Sequence, residues 1–258
     1  MHPVPRRQAA LDLLAQGVSR AEVCRRLGVG WASTYRWQER LAPRVISAHC
    51  FRCEDTPAPA LYPYLLGQYL GDGHIAALRR TTALRIYCCD SYPAVMDEVA
   101  CAMREVAGAS VNFRRLVGCT QVQSATNHWR CMFPQHGPGM KHQRSIVLAD
   151  WQRDLIGADP RGLIRGLLHS DGCRATNIVH RSLPAGIRTY SYPRYFFSNT
   201  STDIQGIYTD ALDLLGISWR QNRWNSISVA RRDAVAALDE FVGPKSDAAR
   251  TARPAFDC

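Results

Sequence analysis

Lysine is almost missing from this sequence: two occur in 258 residues, Lys141 and Lys245, and arginine carries the rest of the basic charge. Acidic residues are also few, 22 Asp and Glu against 32 Lys and Arg, which leaves a formal net charge of +10 and a pI near 9.3. A compact protein this basic most often meets a polyanion, with nucleic acid the first candidate and a generally basic enzyme the alternative. An arginine- and alanine-rich composition also follows from a GC-rich genome, so a retained lysine is worth watching. No apolar run approaches the ~20 residues a membrane span needs. The start, MHPVPRRQAA, lacks the apolar core of a signal peptide. The ten cysteines, with Cys88 and Cys89 adjacent, have no secreted framework spacing and read as mostly reduced thiols of an intracellular protein. The ends carry no His-Asn pair of the kind an intein needs. What remains, 46% apolar residues and a mean hydropathy of -0.23, describes a soluble globular chain with room for one large core and a small extra domain.

Residues 1–42 read as helices. RQAALDLLAQG ends at Gly17; Ser19 and Glu22 stand at capping-box spacing before a helix with Val23, Cys24 and Leu27 on one face and a break at Gly28; WASTYRWQER follows a tight turn. The stretch AEVCRRLGVGWASTYRW resembles the helix-turn-helix family. That resemblance implies DNA contact by Trp31, Tyr35 and Arg36, with Thr34 and Trp37 facing inward. A plain three-helix packing module is the alternative. Residues 43–59 read as a proline-containing linker. Its Cys50 and Cys53 form a lone CxxC, half of a structural Zn2+ site that His128, Cys119 or Cys131 could complete.

The rest divides into two copies, 60–158 and 159–243, followed by a loose polar tail over 244–258. YLLGQYLGDG returns as LIRGLLHSDG, and the later words VAGASV and LLGISW also correspond. Asp72 to Gly108 is 36 positions and Asp171 to Gly216 is 45, so the second copy should hold a longer hairpin around RSLPAGIR. Val95, Val99, Met103 and Val106 recur at helical spacing in one copy; Ile204, Tyr208, Ala211 and Leu215 do so in the other. HWRCMFP and NSISVARR read as closing strands. The order is αββαββα, twice: an α+β fold with an all-α N-terminal module.

Gly67 and Gly71, and Gly162, Gly166 and Ser170, lie four apart. Small residues at that spacing let two helix backbones approach closely. The two motif helices should therefore pack about a pseudo-twofold axis and end at Asp72-Gly73 and Asp171-Gly172, side by side. Two adjacent carboxylates raise one another's pKa unless a cation intervenes, and such a pair suits Mg2+.

Here the chain resembles the LAGLIDADG homing endonuclease family in its single-chain, two-motif form, through LLGQYLGDG (65–73) and IRGLLHSDG (164–172), over roughly residues 60–243. The resemblance implies saddle-shaped antiparallel sheets in the DNA major groove and metal at Asp72 and Asp171, with Gly71 and Ser170 in the same site. Leu70 and His169 stand where that motif often has aspartate. Basic residues after the fourth strand of each copy map to Lys141 and Arg231, whose plainer reading is a phosphate contact or a surface charge. His142 and His169 are further candidates as bases, or structural. DNA-facing candidates on the strands are Arg79, Arg114, Arg174, Asn177, Arg194, Arg220 and Arg223, for reading or gripping alike. The expectation is a monomeric, cytoplasmic, nucleoid-associated bacterial enzyme that cuts double-stranded DNA at a specific site with Mg2+ or Mn2+. The alternatives are a non-cutting transcriptional regulator on the same fold and an RNA maturase.

Overall fold

The computed structural model describes residues 4–31, 33–34, 37, 50–184 and 186–245, which divide between two compact units, Met1–Ser47 and Ala48–Cys258. In the first unit, α1 (Val4–Ala15) and α2 (Arg20–Leu27) are followed by helical residues at 31, 33–34 and 37. Ser19 Oγ accepts the Glu22 amide at 3.4 Å, and Gly28 closes α2 in the left-handed region at φ 59°. The Glu22 carboxylate turns to Arg25 and Arg26 rather than back to Ser19, so the capping box is only half made. Val23 and Thr34 are buried, and Thr34 Oγ1 donates to the Trp31 carbonyl at 2.8 Å. Tyr35, Arg36 and residues 38–49 lie outside the described residues.

Residues 43–49 of the expected linker lie outside the described residues, and of its later part 52–57 are exposed while Cys50 and Phe51 belong to the core. Cys50 and Phe51 are buried, and the Phe51 ring packs edge-on against Tyr62 at 5.3 Å and Trp151 at 5.7 Å. The elements of the first copy are α3 (Tyr62–Leu70), β1 (Gly73–Ala77), β2 (Thr82–Cys89), α4 (Pro93–Ala107), β3 (Val111–Arg115), β4 (Cys119–Ala125), a single helical turn α5 (Trp129–Met132) and α6 (Asp150–Ala158). Those of the second are α7 (Pro160–Asp171), β5 (Gly172–Leu183), β6 (Gly186–Ser198), α8 (Thr202–Leu214), β7 (Arg220–Arg223), β8 (Ser226–Val229) and α9 (Arg232–Asp239). Among the described residues no helix is long and apolar enough to cross a membrane.

Each copy builds one four-stranded antiparallel sheet, with strand orders β1-β2-β4-β3 and β5-β6-β8-β7. The equivalence of the two orders is the expected duplication at the level of topology. The extra length falls where expected: β5 and β6 pair from Gly172↔Phe197 out to Leu183↔Gly186, while β1 and β2 pair only from Gly73↔Ile86 to Ala77↔Thr82. HWRCMFP is corrected from strand to helix. Trp129 and Met132 are both buried, and the Trp129 indole N–H donates to the Ser124 carbonyl at 2.9 Å.

Every residue of α3 is buried. A helix without a polar face must be surrounded, and α3 has α7 on one side with α4 and β1 on others. The core stripes read from the sequence close over the sheets: Val95, Val99, Met103 and Val106 from α4, and Ile204, Tyr208 and Ala211 from α8, are buried, with Leu215 half-buried beside them.

Candidate metal centre and nucleic-acid interface

The small residues decide where the motif helices touch. A Cβ on Gly67 would stand 2.6 Å from the Leu163 carbonyl oxygen and 2.7 Å from the Leu167 nitrogen; on Gly166 it would stand 2.2 Å from the Tyr64 carbonyl oxygen. At the far end a Cβ on Gly71 would lie 2.1 Å from Ser170 Oγ and 3.2 Å from Asp171 Cγ. The two backbones are therefore in contact along α3 and α7, and the contact delivers the ends of both helices to one place. The endings differ slightly. Helix α3 stops at Leu70, so Asp72 lies past its last turn, whereas α7 runs through Asp171 into β5.

Asp72 keeps part of its surface exposed, although its carboxyl is packed among the two helix ends. Withdrawal from water, then the Asp171 charge, push its carboxyl up to about 6, against the pull of Lys141 and Lys245. Asp171 is also raised by burial, but Asn199 Nδ2 donates to it at 2.6 Å and counters the rise. Asn199 was not anticipated; it follows β6 directly.

Both lysines of the chain are at this centre. Lys141 Nζ donates to the carbonyls of Tyr69, Leu70 (2.9 Å) and Gly71 (2.7 Å), capping the end of α3. Lys245 Nζ donates to Ser170 at 3.3 Å and Gly172 at 2.5 Å, capping α7 in the same way. A compact ammonium with three donors fits converging carbonyls better than a planar guanidinium and answers the negative end of the helix dipole. Burial lowers both lysines, Lys141 to about 8, while the two aspartates oppose the shift.

Lys245 replaces the sequence-based choice of Arg231. The chain leaving β8 enters α9 at once, and Arg231, 69% exposed, turns outward to Asp233 at 2.9 Å. Only after α9 does the chain return, through Gly243-Pro244-Lys245, as it returned earlier through Gly137-Pro138 before Lys141. Both lysines follow a Gly-Pro pair, directly for Lys245 and three residues later for Lys141, but the sequence alone does not show that either stretch returns to the helix ends. Lys245→Met should cost about 1.5–3 kcal/mol of stability by uncapping buried carbonyls with a charged donor removed. Arg231→Ala should stay within about 0.5 kcal/mol; chemical denaturation of the two variants checks the contrast.

His169 is no base. It is buried and held between the Val242 carbonyl (Nε2, 2.9 Å) and the Tyr64 hydroxyl (Nδ1, 3.3 Å), and burial pushes its pKa down to about 3. His142, beside Lys141, is exposed.

Residues directly opposite one another in antiparallel strands share a face, so register sorts the DNA candidates. In the first sheet the pairs Ile75↔Leu84 and Ile86↔Val122 are buried and face the helices. Arg114 opposite Gln121, and Arg85 opposite Gln123, then occupy the open face, while Arg79 lies exposed in the β1–β2 turn. Arg85 and Gln123 on that face were not among the candidates, because without the register their face is undetermined; Gln121 beside them is 2% exposed and donates to Gln123 Oε1 at 2.8 Å. In the second sheet Tyr195↔Val229 and Phe197↔Ile227 are buried, which puts Arg194, Asn177 and Arg220 on the open side. Arg194 Nη2 donates to Ser228 Oγ at 2.8 Å and Asn177 Nδ2 to the Tyr192 hydroxyl at 2.7 Å. Arg223 pairs with Ser226 past a register shift and is exposed.

Arg174 is a correction. It stands opposite Tyr195, on the helix side, and both its Nε and Nη2 donate to Asp239 at 2.8 Å. In the first unit Trp31 is 59% exposed with the Arg20 guanidinium 5.6 Å from its ring centroid, and Trp37 is half-buried.

A second cluster lies apart from the aspartates. Cys50 and Cys53 meet His128 and Cys131, with all four ligand atoms within 4.8 Å of one another. Cys119, also considered, sits opposite Cys89 in the first sheet instead.

Residues 1–45 match a family model described as a homeodomain-like domain. No curated protein matches the sequence at a significant level. Solved structures similar to the chain include mesophilic variants of the homing endonuclease I-DmoI, at TM-score 0.45 and 12% identity over 72% of this chain and 96% of that one. The LAGLIDADG meganuclease I-AabMI bound to uncleaved DNA is similar at TM-score 0.45 and 12% identity, covering 69% and 82% of the two chains. The N-terminal LAGLIDADG domain of DUF199/WhiA is similar at TM-score 0.41 and 10% identity, covering 72% and 81%.

Proposed function

We propose that the chain is a site-specific endonuclease of double-stranded DNA that uses a divalent metal, Mg2+ or Mn2+, at Asp72 and Asp171. The observation that carries the reading is the paired arrangement itself: two carboxylates, each with a capping lysine, at the joined ends of two duplicated helices between two sheets of equivalent strand order. Duplicated chemistry on a pseudo-twofold suits two antiparallel strands, one per half, and so a monomer.

The donor set fits a hard cation. Two carboxylates are oxygen ligands of the kind Mg2+ accepts together with phosphate oxygens, while the neighbouring Gly71 and Ser170 carbonyls accept from Lys141 and Lys245. When bound, the metal supplies charge neutralisation at the phosphate and a water of lowered pKa. The chain's own residues do the rest. Asp72 and Asp171 must be ionised to hold the ion; Asn199 orients Asp171; Lys141 and Lys245 place positive charge beside each carboxylate, where phosphate oxygens would approach. The arginines and Gln123 of the open sheet faces grip and read the duplex, and the N-terminal homeodomain-like unit adds a second DNA contact.

The deciding experiment is incubation with a randomised plasmid library and Mg2+ or Mn2+, with linear products sequenced. A second reading, a non-cutting DNA-binding regulator, is favoured by the homeodomain-like match alone; it predicts sequence-specific binding without linear product in either metal.

Duplex binding should also separate the arginines. Arg114→Ala should weaken binding across sequences and lower the slope of log affinity against log salt by about 1. Arg174→Ala should leave that slope unchanged, since its guanidinium is already taken by Asp239. Fluorescence anisotropy at several salt concentrations reads both.

A further inference from the structure

We propose that Cys50, Cys53, His128 and Cys131 bind one Zn2+ ion, and that this ion fastens the beginning of the second unit to the turn of helix α5. The site stands apart from Asp72 and Asp171 and does not depend on the nuclease reading.

Two spacings match a tetrahedral site, and all four ligand atoms lie within 4.8 Å of one another. With Zn–S bonds of about 2.3 Å, two sulfurs on a tetrahedron lie roughly 3.8 Å apart, and a sulfur and an imidazole nitrogen somewhat closer. Cys53 Sγ is 3.7 Å from Cys131 Sγ and 3.7 Å from His128 Nδ1. A disulfide would need about 2.05 Å, so Cys53 and Cys131 are neighbours rather than a bond. The ligands come as two pairs with the same spacing. Cys50-x-x-Cys53 lies on one tight turn, in which the Cys53 and Glu54 amides donate to the Cys50 carbonyl at 2.9 Å each. His128-x-x-Cys131 opens α5, where residues three apart share a face. Four soft-to-borderline ligands of the Cys3His type select zinc over Mg2+.

Neither segment is held by a long regular element of its own. Residues 50–61 form turns and extended chain without a regular element, and α5 is a single four-residue turn, too short to hold itself. Cys50 lies two residues beyond the start of the second unit at Ala48. An ion here would therefore hold the first described residues of the second unit against α5, joining segments that are 75 or more positions apart in sequence.

Zinc content of the full-length chain, purified under reducing conditions without chelator, tests the assignment. One zinc per chain is expected, lost in Cys53→Ser and in Cys131→Ser and kept in Cys119→Ser. Replacement by Co2+ in the unmutated chain should give the visible d–d bands of a tetrahedral ion with thiolate charge transfer, which keeps the test open if a serine variant fails to fold. A strong chelator should lower the thermal midpoint, and added Zn2+ should restore it. Absence of zinc together with a featureless Co2+ titration would overturn the proposal, as would recovery of a Cys53–Cys131 disulfide peptide from the chain purified under reducing conditions.

Discussion

Asp72→Asn and Asp171→Asn should each reduce Mg2+-dependent cleavage by at least about a hundredfold, the usual loss when one preorganised electrostatic group is removed from an active centre, with duplex binding in Ca2+ or EDTA retained. Loss in either single variant is expected because the two helix ends touch, a Cβ on Gly71 standing 3.2 Å from Asp171 Cγ, and the proposed reaction uses both carboxylates at that one place. Cleavage unaffected by both substitutions would remove the metal reading and leave a DNA-binding protein.

The acidity of the same groups sets the pH profile. Asp72 titrates near 6 and Lys141 near 8, each raised or lowered by burial and opposed by the other's charge. The proposed cleavage needs the first ionised and the second protonated, so its rate should rise to pH about 6, hold, and fall above about 8. Saturating metal should move the acid limb lower, because a cation favours the carboxylate. Stability of the metal-free chain runs the opposite way on the acid side. A carboxyl whose folded pKa lies above its ordinary value of 3.8 stabilises the fold fully below that value, and this contribution is lost as pH rises through about 6. Asp72→Asn should therefore raise the thermal midpoint of metal-free protein at pH 7 and do little at pH 4. A substitution that lowers the midpoint at pH 7 would show that Asp72 is stabilised, not strained, in its place.

The helix interface was legible because its requirement is written in single residues. Gly67 and Gly166 cost helix propensity, and only a close backbone approach offsets that cost, so spacing was enough to pair α3 with α7. The strand faces were not. Arg174 and Arg194 both look like surface arginines on a hairpin, and only the partners Tyr195 and Ala175 separate the one bound to Asp239 from the one on the open face. HWRCMFP misled for a related reason: Trp129, Cys131 and Phe133 alternate as in a strand, while the burial actually follows Trp129, Met132 and Phe133. Lys245 fell in a stretch whose composition is that of a tail, and its role depends on a chain return across α9 that no local pattern encodes. The CxxC of Cys50 and Cys53 was visible, but the choice of His128 and Cys131 over Cys119 as its neighbours needed the fold.

The largest loss of stability is expected from Gly166→Ala, a change that on an exposed helix would gain about 1 kcal/mol. The added methyl would meet the Tyr64 carbonyl oxygen at 2.2 Å, the Gly67 Cα at 3.0 Å and the Gln68 nitrogen at 3.1 Å. All three are backbone atoms of α3, so no rotamer change can make room and the two helices must move apart. Overpacking of this kind costs about 3 kcal/mol or more, a fall of roughly 6–12 °C in the thermal midpoint for a domain of this size. Gly206→Ala is the control: it lies within α8, and nothing stands within 4 Å of the Cβ it would gain. There the same substitution should stabilise by about 0.5–1 kcal/mol. Separation of the helices would also part Asp72 from Asp171, so the Gly166→Ala protein that remains folded at low temperature should bind duplex through its sheets yet cleave poorly. Equal midpoints for the two alanine variants would mean that α3 and α7 do not touch in solution, and the shared centre would go with that contact.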